Sequence, residues 1–328
     1  MHKNSKLNEL LNNSRFDEAA SLLKDHLAKA VIIDPSDYKD ESWPQYADAI
    51  SRKISRDKGQ EATIPFWEDL LKFFKKELEP TWEHLHKGHI LFRLGIANLI
   101  NDVSIAKKYL EKALDEDRLL EIERAKGKSI DIENKIRKYS AYVMLCIIER
   151  IKYVKEKQKF FQELLSPSFD AAIRGDKVDP DLVKEAVEYI VPQQGWEQIL
   201  ETRKELDLVF KLKLKTATIS LTGAFLENIL LSILYHHLNL STAQGKNILE
   251  AELGKLLEEA IKRSIFPSDS IKTACRTINI FRNRLHPGNE LTQKYKLTPR
   301  VAVTIKIFFD SVLVDWAKQI SDKKSAQT

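Results

Sequence analysis

Punctuation is scarce in this chain: only ten Gly and ten Pro occur in 328 residues. Between these breaks, apolar side chains return every three or four positions, the spacing of a helix with one face turned inward. Leu7, Leu10, Leu11, Phe16, Ala19, Leu22, Leu23 and Leu27 follow it, which predicts two short antiparallel helices with a turn near Asn12 to Arg15. A loop then runs from Asp34-Pro35 to Trp43-Pro44, and Tyr46 to Arg56 returns to helix. Phe66, Leu70, Phe73 and Phe74 give the apolar face of the next helix, which Glu79-Pro80 closes. Tyr139, Tyr142, Val143, Leu145, Cys146, Ile148, Ile151 and Val154 predict one long helix over Lys135 to Leu165. Helix packed on helix is the layer such a pattern builds, so the expected fold class is all-α.

Charged residues make up 31% of the chain, beside many Leu, Lys, Glu, Ala and Ile, a composition of soluble helical proteins. The longest apolar stretch, Leu221 to Leu234, is interrupted by Thr222, Glu227, Asn228 and Ser232, and the N-terminal stretch lacks an apolar signal core. The expectation is a cytoplasmic protein with no membrane partner. Cys146 and Cys275 lie in helical patterns without CxxC or Cys/His spacing, which argues against a disulfide framework or zinc site. His84, His86 and His89 are spaced closely enough to suggest a metal, but no acidic or thiol ligand stands beside them in sequence. His236 and His237 are adjacent and point in different directions. No bound metal or cofactor is expected. Phosphate-binding glycine loops, GxSxG elbows and HExxH are absent, which removes the commonest nucleotide-hydrolase, serine-hydrolase and zinc-protease readings.

The clearest breaks lie at Ser166-Pro167, Gly175, Asp179-Pro180 and Pro192 to Gly195, with a short helix from Asp181 to Val191. They predict a hinge and two domains, a helical array over 1–195 and a bundle over 196–328. In the bundle the pattern predicts a helix from Leu206 to about Leu240, a loop to Lys246, and a helix from Ile248 to Ser264. A helix capped by Ser268 or Asp269 follows, then a last helix with Thr298 as cap and Pro299 at its first position. Val301, Ile305, Phe308, Val312, Leu313, Trp316 and Ile320 form a stripe on that last helix, and core is the expected place for it.

Phe281-Arg282-Asn283-Arg284-Leu285-His286-Pro287-Gly288 concentrates the chemistry. If the preceding helix runs into it, Arg282 and His286 share one face at the last turn, before Pro-Gly ends the helix. An imidazole moves protons near neutrality, and a guanidinium binds phosphate with paired hydrogen bonds. Nearby stand Lys272, Arg276, Lys294, Lys296, Arg300 and Lys306, a basic set able to follow a phosphate backbone, with Arg276, Lys294, Lys296 and Arg300 as the candidate contacts to it. The net charge of +5 is a mild bias.

RNRLHPGN resembles the Arg-Asn-x-x-His-Pro-Gly signature of HEPN domains, and TGAFLENILLSIL (Thr222 to Leu234) resembles their first long helix. The likeness covers Leu206 to Asp322. Three residues separate Arg282 from His286, the tighter form of a spacing that usually holds four to six. The resemblance implies a four-helix bundle acting as a metal-independent endoribonuclease of prokaryotic defence or toxin systems, dimeric, with Arg282 and His286 catalytic. Asn283, Arg284 and Glu227 would support them, Glu227 either as a polar partner of the motif or as a solvent-facing residue. Upstream, FDEAASLL, Leu94-Gly95 and the Ala106/Leu110/Ala113 spacing resemble tetratricopeptide helices, so the N-terminal region is expected to be an irregular array of that kind, regulatory or docking a protein partner. The alternative is a non-catalytic helical scaffold in which the motif is a helix cap.

Overall fold

A computed structural model describes residues 9–10, 13, 15–29, 42–73, 80–151, 154–192, 196–237, 251–285 and 292–325. Among these the chain is all-α: fifteen α-helices and one 3-10 turn, with no strand. Two compact units divide it, residues 1–145 and 146–328.

The first unit contains α1 (Phe16–Lys29), α2 (Ser42–Lys58), a 3-10 turn (Gln60–Thr63), α3 (Ile64–Phe73), α4 (Pro80–Asn98), α5 (Val103–Ala125) and α6 (Ile132–Ile136). Ala19, Leu23, Ala47, Ile50, Trp67, Leu70, Ile90 and Leu94 form its core. Trp67 satisfies its indole N–H on Ser51 Oγ at 2.9 Å. Helices α4 and α5 make an antiparallel hairpin, and Gly95 is why they approach so closely. A Cβ there would sit 2.6 Å from Leu110 Cγ. Ala106, Leu110 and Ala113 are all buried, and Asp102 caps α5 by accepting from the amides of Ser104 and Ile105. Pro80 thus opens α4, as a proline at a first helical position can.

The second unit begins within α7 (Ser140–Ile151) and continues through α8 (Lys157–Leu164), α9 (Pro167–Arg174), α10 (Pro180–Ile190), α11 (Trp196–Lys211), α12 (Lys215–His237), α13 (Leu253–Lys262), α14 (Asp269–Asn283) and α15 (Pro299–Ser325). Helix α12 is apolar around most of its circumference because it is packed by α11, α13, α14 and α15. Ile219, Phe225, Leu226, Ile229, Leu230 and Leu234 are all fully buried. By length and composition α12 is the one described helix able to cross a membrane, yet 56% of that window is buried inside the protein. Thr298 Oγ1 accepts from Val301 N, so α15 starts with the expected cap and Pro299. Its stripe is core from Val301 to Trp316, and Ile320 is only half-buried.

Three boundaries differ from the sequence reading. Lys135 to Leu165 is three helices: Asp131 caps α6 through Asn134 N, and Glu156 takes a left-handed conformation (φ 55°) ahead of α8. The helix expected from Leu206 begins instead at Trp196 and breaks at Lys213, also left-handed (φ 57°), before α12 restarts. The last difference concerns the domains. Ser166, Gly175 and Asp179 are helix caps inside the second unit, with Pro167 and Pro180 in the first turns of α9 and α10. Both helices pack on α15, with Phe169 edge-on to Phe308 at 5.1 Å, so they lie within the compact unit that begins at Cys146. The expected helix start at Ile248 lies outside the described residues.

A buried charge network ties α11 to α15. Arg203 reaches both Asp310 oxygens at 2.5 and 3.2 Å and Asp207 at 2.9 Å, while Lys306 reaches Asp310 at 2.6 Å and Asp207 at 3.0 Å. Burial would raise the Asp207 carboxyl, but Arg203 and Lys306 outweigh it and hold the group below its ordinary value.

This division has a direct consequence for truncation. A fragment beginning at Lys138 should unfold cooperatively in urea, whereas one beginning at Trp196, which strips α9 and α10 from α15, should lose the sigmoidal transition; equal cooperativity would refute the assignment.

Candidate functional site

Helix α14 carries the motif. Its inner face buries Ile271, Ala274, Cys275, Ile278 and Phe281. Ser268 stands at the N-cap but makes no capping bond, its hydroxyl lying 3.0 Å from that of Ser270. At the other end Arg284 N returns to the carbonyls of Ile280 and Phe281, each at 3.2 Å, so helical turns continue to Asn283 as the spacing predicts. Arg282 is therefore in the last turn. Asn283 is exposed and Arg284 partly so, while His286, Pro287 and Gly288 lie outside the described residues.

Arg282 is fixed from below by α12. Its stem lies over Gly223, where an added Cβ would stand 2.6 Å from Arg282 Cδ and 3.2 Å from Cγ. Four residues on, Glu227 shares that face and meets Arg282 Nη1 through Oε2 at 2.6 Å. Glu227 is thus the motif's partner, and the solvent-facing alternative falls. About a third of the Arg282 side chain stays exposed, and a guanidinium has five N–H donors, more than one carboxylate uses. The small residue and the acid in GAFLEN have distinct tasks: one admits the arginine stem, the other orients its head.

The chain returning toward α15 is gripped by α7. Glu149 accepts the amides of Lys294 (2.9 Å) and Tyr295 (2.7 Å). Arg150, 2% exposed, donates to the Tyr295 carbonyl at 3.1 Å and sits over the Phe281 ring at 5.3 Å. Lys215 at the start of α12 adds a bond to the Leu297 carbonyl at 2.9 Å. The residue before Arg282 and the segment at 294–297 are thereby tied to one frame. Sequence reasoning missed Glu149, Arg150 and Lys215. The only signal was a charged pair ending an otherwise apolar stretch, YVMLCIIER.

The basic residues divide. Arg276 is exposed and lies 5.8 Å from the Phe160 ring centroid; Lys294 is exposed over Tyr295; Lys296 is partly exposed. Arg300 is used differently. Its Nη2 caps α9 through the Ile173 carbonyl at 2.6 Å, its head packs on Gly175, and burial lowers its pKa. Lys272 pairs with Asp269, and Lys306 belongs to the buried network with Asp310.

The histidine trio does not converge. His84 meets Glu116 at 2.7 Å, and His89 meets Asp48 at 3.2 Å, so acids distant in sequence do stand beside them. Lys87 joins Glu116 at 2.7 Å, and Arg93 joins Asp48 at 2.6 Å. Beside Glu116, burial and then the Glu116 and Glu121 carboxylates push Asp117 up to about 8. Among the described residues no group of three or more His, Cys, Asp or Glu is arranged to hold a metal ion. Cys146 and Cys275 are free and buried, and burial raises the Cys275 thiol.

No family model, curated protein or solved structure matches the chain.

Replacing Glu149 with Ala removes the acceptor of two adjacent amides. Hydrogen exchange at Lys294 and Tyr295 should accelerate about tenfold or more, with α12 protection unchanged; unaltered exchange at both amides would show that Glu149 does not secure this segment.

Proposed function

We propose that the second unit is a HEPN-like endoribonuclease that cuts RNA by attack of a ribose 2′-hydroxyl, without a metal, in a prokaryotic defence or toxin-type system. The observation that carries this reading is the Arg282–Glu227 pair seated on Gly223, immediately ahead of His286 in the chain. An arginine held at its stem and at one edge of its head meets a phosphate with little orientation left to lose. In the reaction, His286 takes the 2′-hydroxyl proton or gives one to the leaving 5′-oxygen, and Arg282 stabilises charge on the phosphorane.

One histidine per chain cannot serve both roles at once. Two protomers joined through this unit supply two Arg/His pairs to one cleft. Arg276, Lys294 and Lys296 follow the RNA backbone, and Arg300 contributes by holding α9 rather than by touching RNA. The first unit restrains the ribonuclease or docks it to a protein partner, and the whole acts in the cytoplasm.

A non-catalytic scaffold is the second reading, and the same ion pair is what favours it. Glu227 already neutralises Arg282, as a purely structural contact between α12 and α14 would require.

Purified protein incubated with single-stranded RNA and EDTA separates the two. Fragments ending in 2′,3′-cyclic phosphate are expected, lost in His286→Ala and in Arg282→Ala; persistent cleavage by His286→Ala, or no cleavage by wild type as a verified dimer, sinks the ribonuclease reading.

A further inference from the structure

The turn joining α11 to α12 displays an apolar surface that nothing in the proposed reaction uses. Leu208, Leu212 and Leu214 are 58%, 60% and 49% exposed, the most exposed large apolar side chains among the described residues. They are held in place by the backbone. Leu212 N bonds the Leu208 carbonyl, Lys213 N that of Phe210 and Leu214 N that of Val209, each at 3.0 Å, closing the helix around a left-handed Lys213.

Within the turn itself, from Leu208 to Lys215, the charges are all basic. Lys211, Lys213 and Lys215 alternate with them, and no acidic residue occurs between Asp207 and Glu227. Lys211 and Lys213 are exposed, whereas Lys215 gives its ammonium to the Leu297 carbonyl. Asp207 is neutralised by Arg203 and Lys306. Glu201 and Glu205 are exposed earlier on α11, together with Lys204.

From this surface we infer that the α11–α12 turn docks on an anionic lipid bilayer, with Leu208, Leu212 and Leu214 entering the interface and Lys211 and Lys213 lying among the acidic headgroups. Charge complementarity and size select this occupant. Three exposed leucines make a small apolar patch beside the ~800 Å² per partner that a stable protein interface buries. A bilayer asks for less area, because shallow apolar insertion and lysine attraction act as two weak signals together.

Full-length protein is sedimented with phosphatidylcholine vesicles and with vesicles of equimolar phosphatidylcholine and phosphatidylglycerol. Pelleting with the anionic vesicles alone, and release by high salt, is expected. Leu212→Ser/Leu214→Ser should abolish it without changing the melting temperature, since both side chains are exposed. Lys213→Gly suits the left-handed backbone, so it keeps the fold while weakening vesicle affinity about fivefold. Protein that stays in the supernatant with both vesicles overturns the inference. So does equal pelleting by the Leu212→Ser/Leu214→Ser variant, or an effect of that variant only on self-association.

Discussion

Helix α15 is mostly buried between Val301 and Trp316, and two of the residues it buries there are charged. Lys306 and Asp310 are 6% and 3% exposed, so α15 can be packed only where opposite charges come in with it. Arg203 and Asp207, both on α11, supply them, giving a network of two cations and two anions with several bonds at or under 3.0 Å. The requirement is strict in one direction. Swapping such a network for apolar residues can be neutral, but removing one member strands a buried charge at a cost of about 3–5 kcal/mol. Apolar packing of α9, α10, α12 and α14 around α15 then completes the unit.

That dependence explains why the domains divide where they do. Helices α9 and α10 are separated from the bundle by prolines and a glycine, yet their buried faces have α15 as their partner, through Phe169 on Phe308 and a Ser168–Asp315 hydrogen bond. Helix α8 turns Phe160, Phe161 and Leu164 inward and contacts α14, joined there by a Glu163–Thr273 hydrogen bond. Proline and glycine mark where a helix ends. They do not say whether the next helix stays in the same core.

Much of the local structure was legible because local chemistry decides it. Asp179-Pro180 and Thr298-Pro299 each pair a side-chain acceptor with a proline, and each starts a helix. Ser166-Pro167 has the same pairing and opens α9, a helix the sequence reading passed over as a break. The breaks at Glu156 and Lys213 were not legible, since both place a long side chain in a left-handed conformation where glycine is the usual signal. At the site, Gly223 and Glu227 were visible because they sit four apart in one recognisable stretch. Glu149 and Arg150 were not, because their partners at 294 and 295 are about 145 positions away and no periodicity encodes that separation. Arg300 and Lys306 read as surface cations in sequence, and tertiary packing turned one into a helix cap and the other into a core charge.

The functional account turns on α12 holding Arg282 in a set orientation, a claim about the coupling between two side chains. A double-mutant cycle on Arg282→Met and Glu227→Gln, read as unfolding free energy in urea, measures that coupling. With both side chains about a quarter to a third exposed, a favourable coupling of about 0.5–1 kcal/mol is predicted. Strict additivity of the two substitutions would mean that Glu227 does not hold Arg282, and would contradict the account at its base.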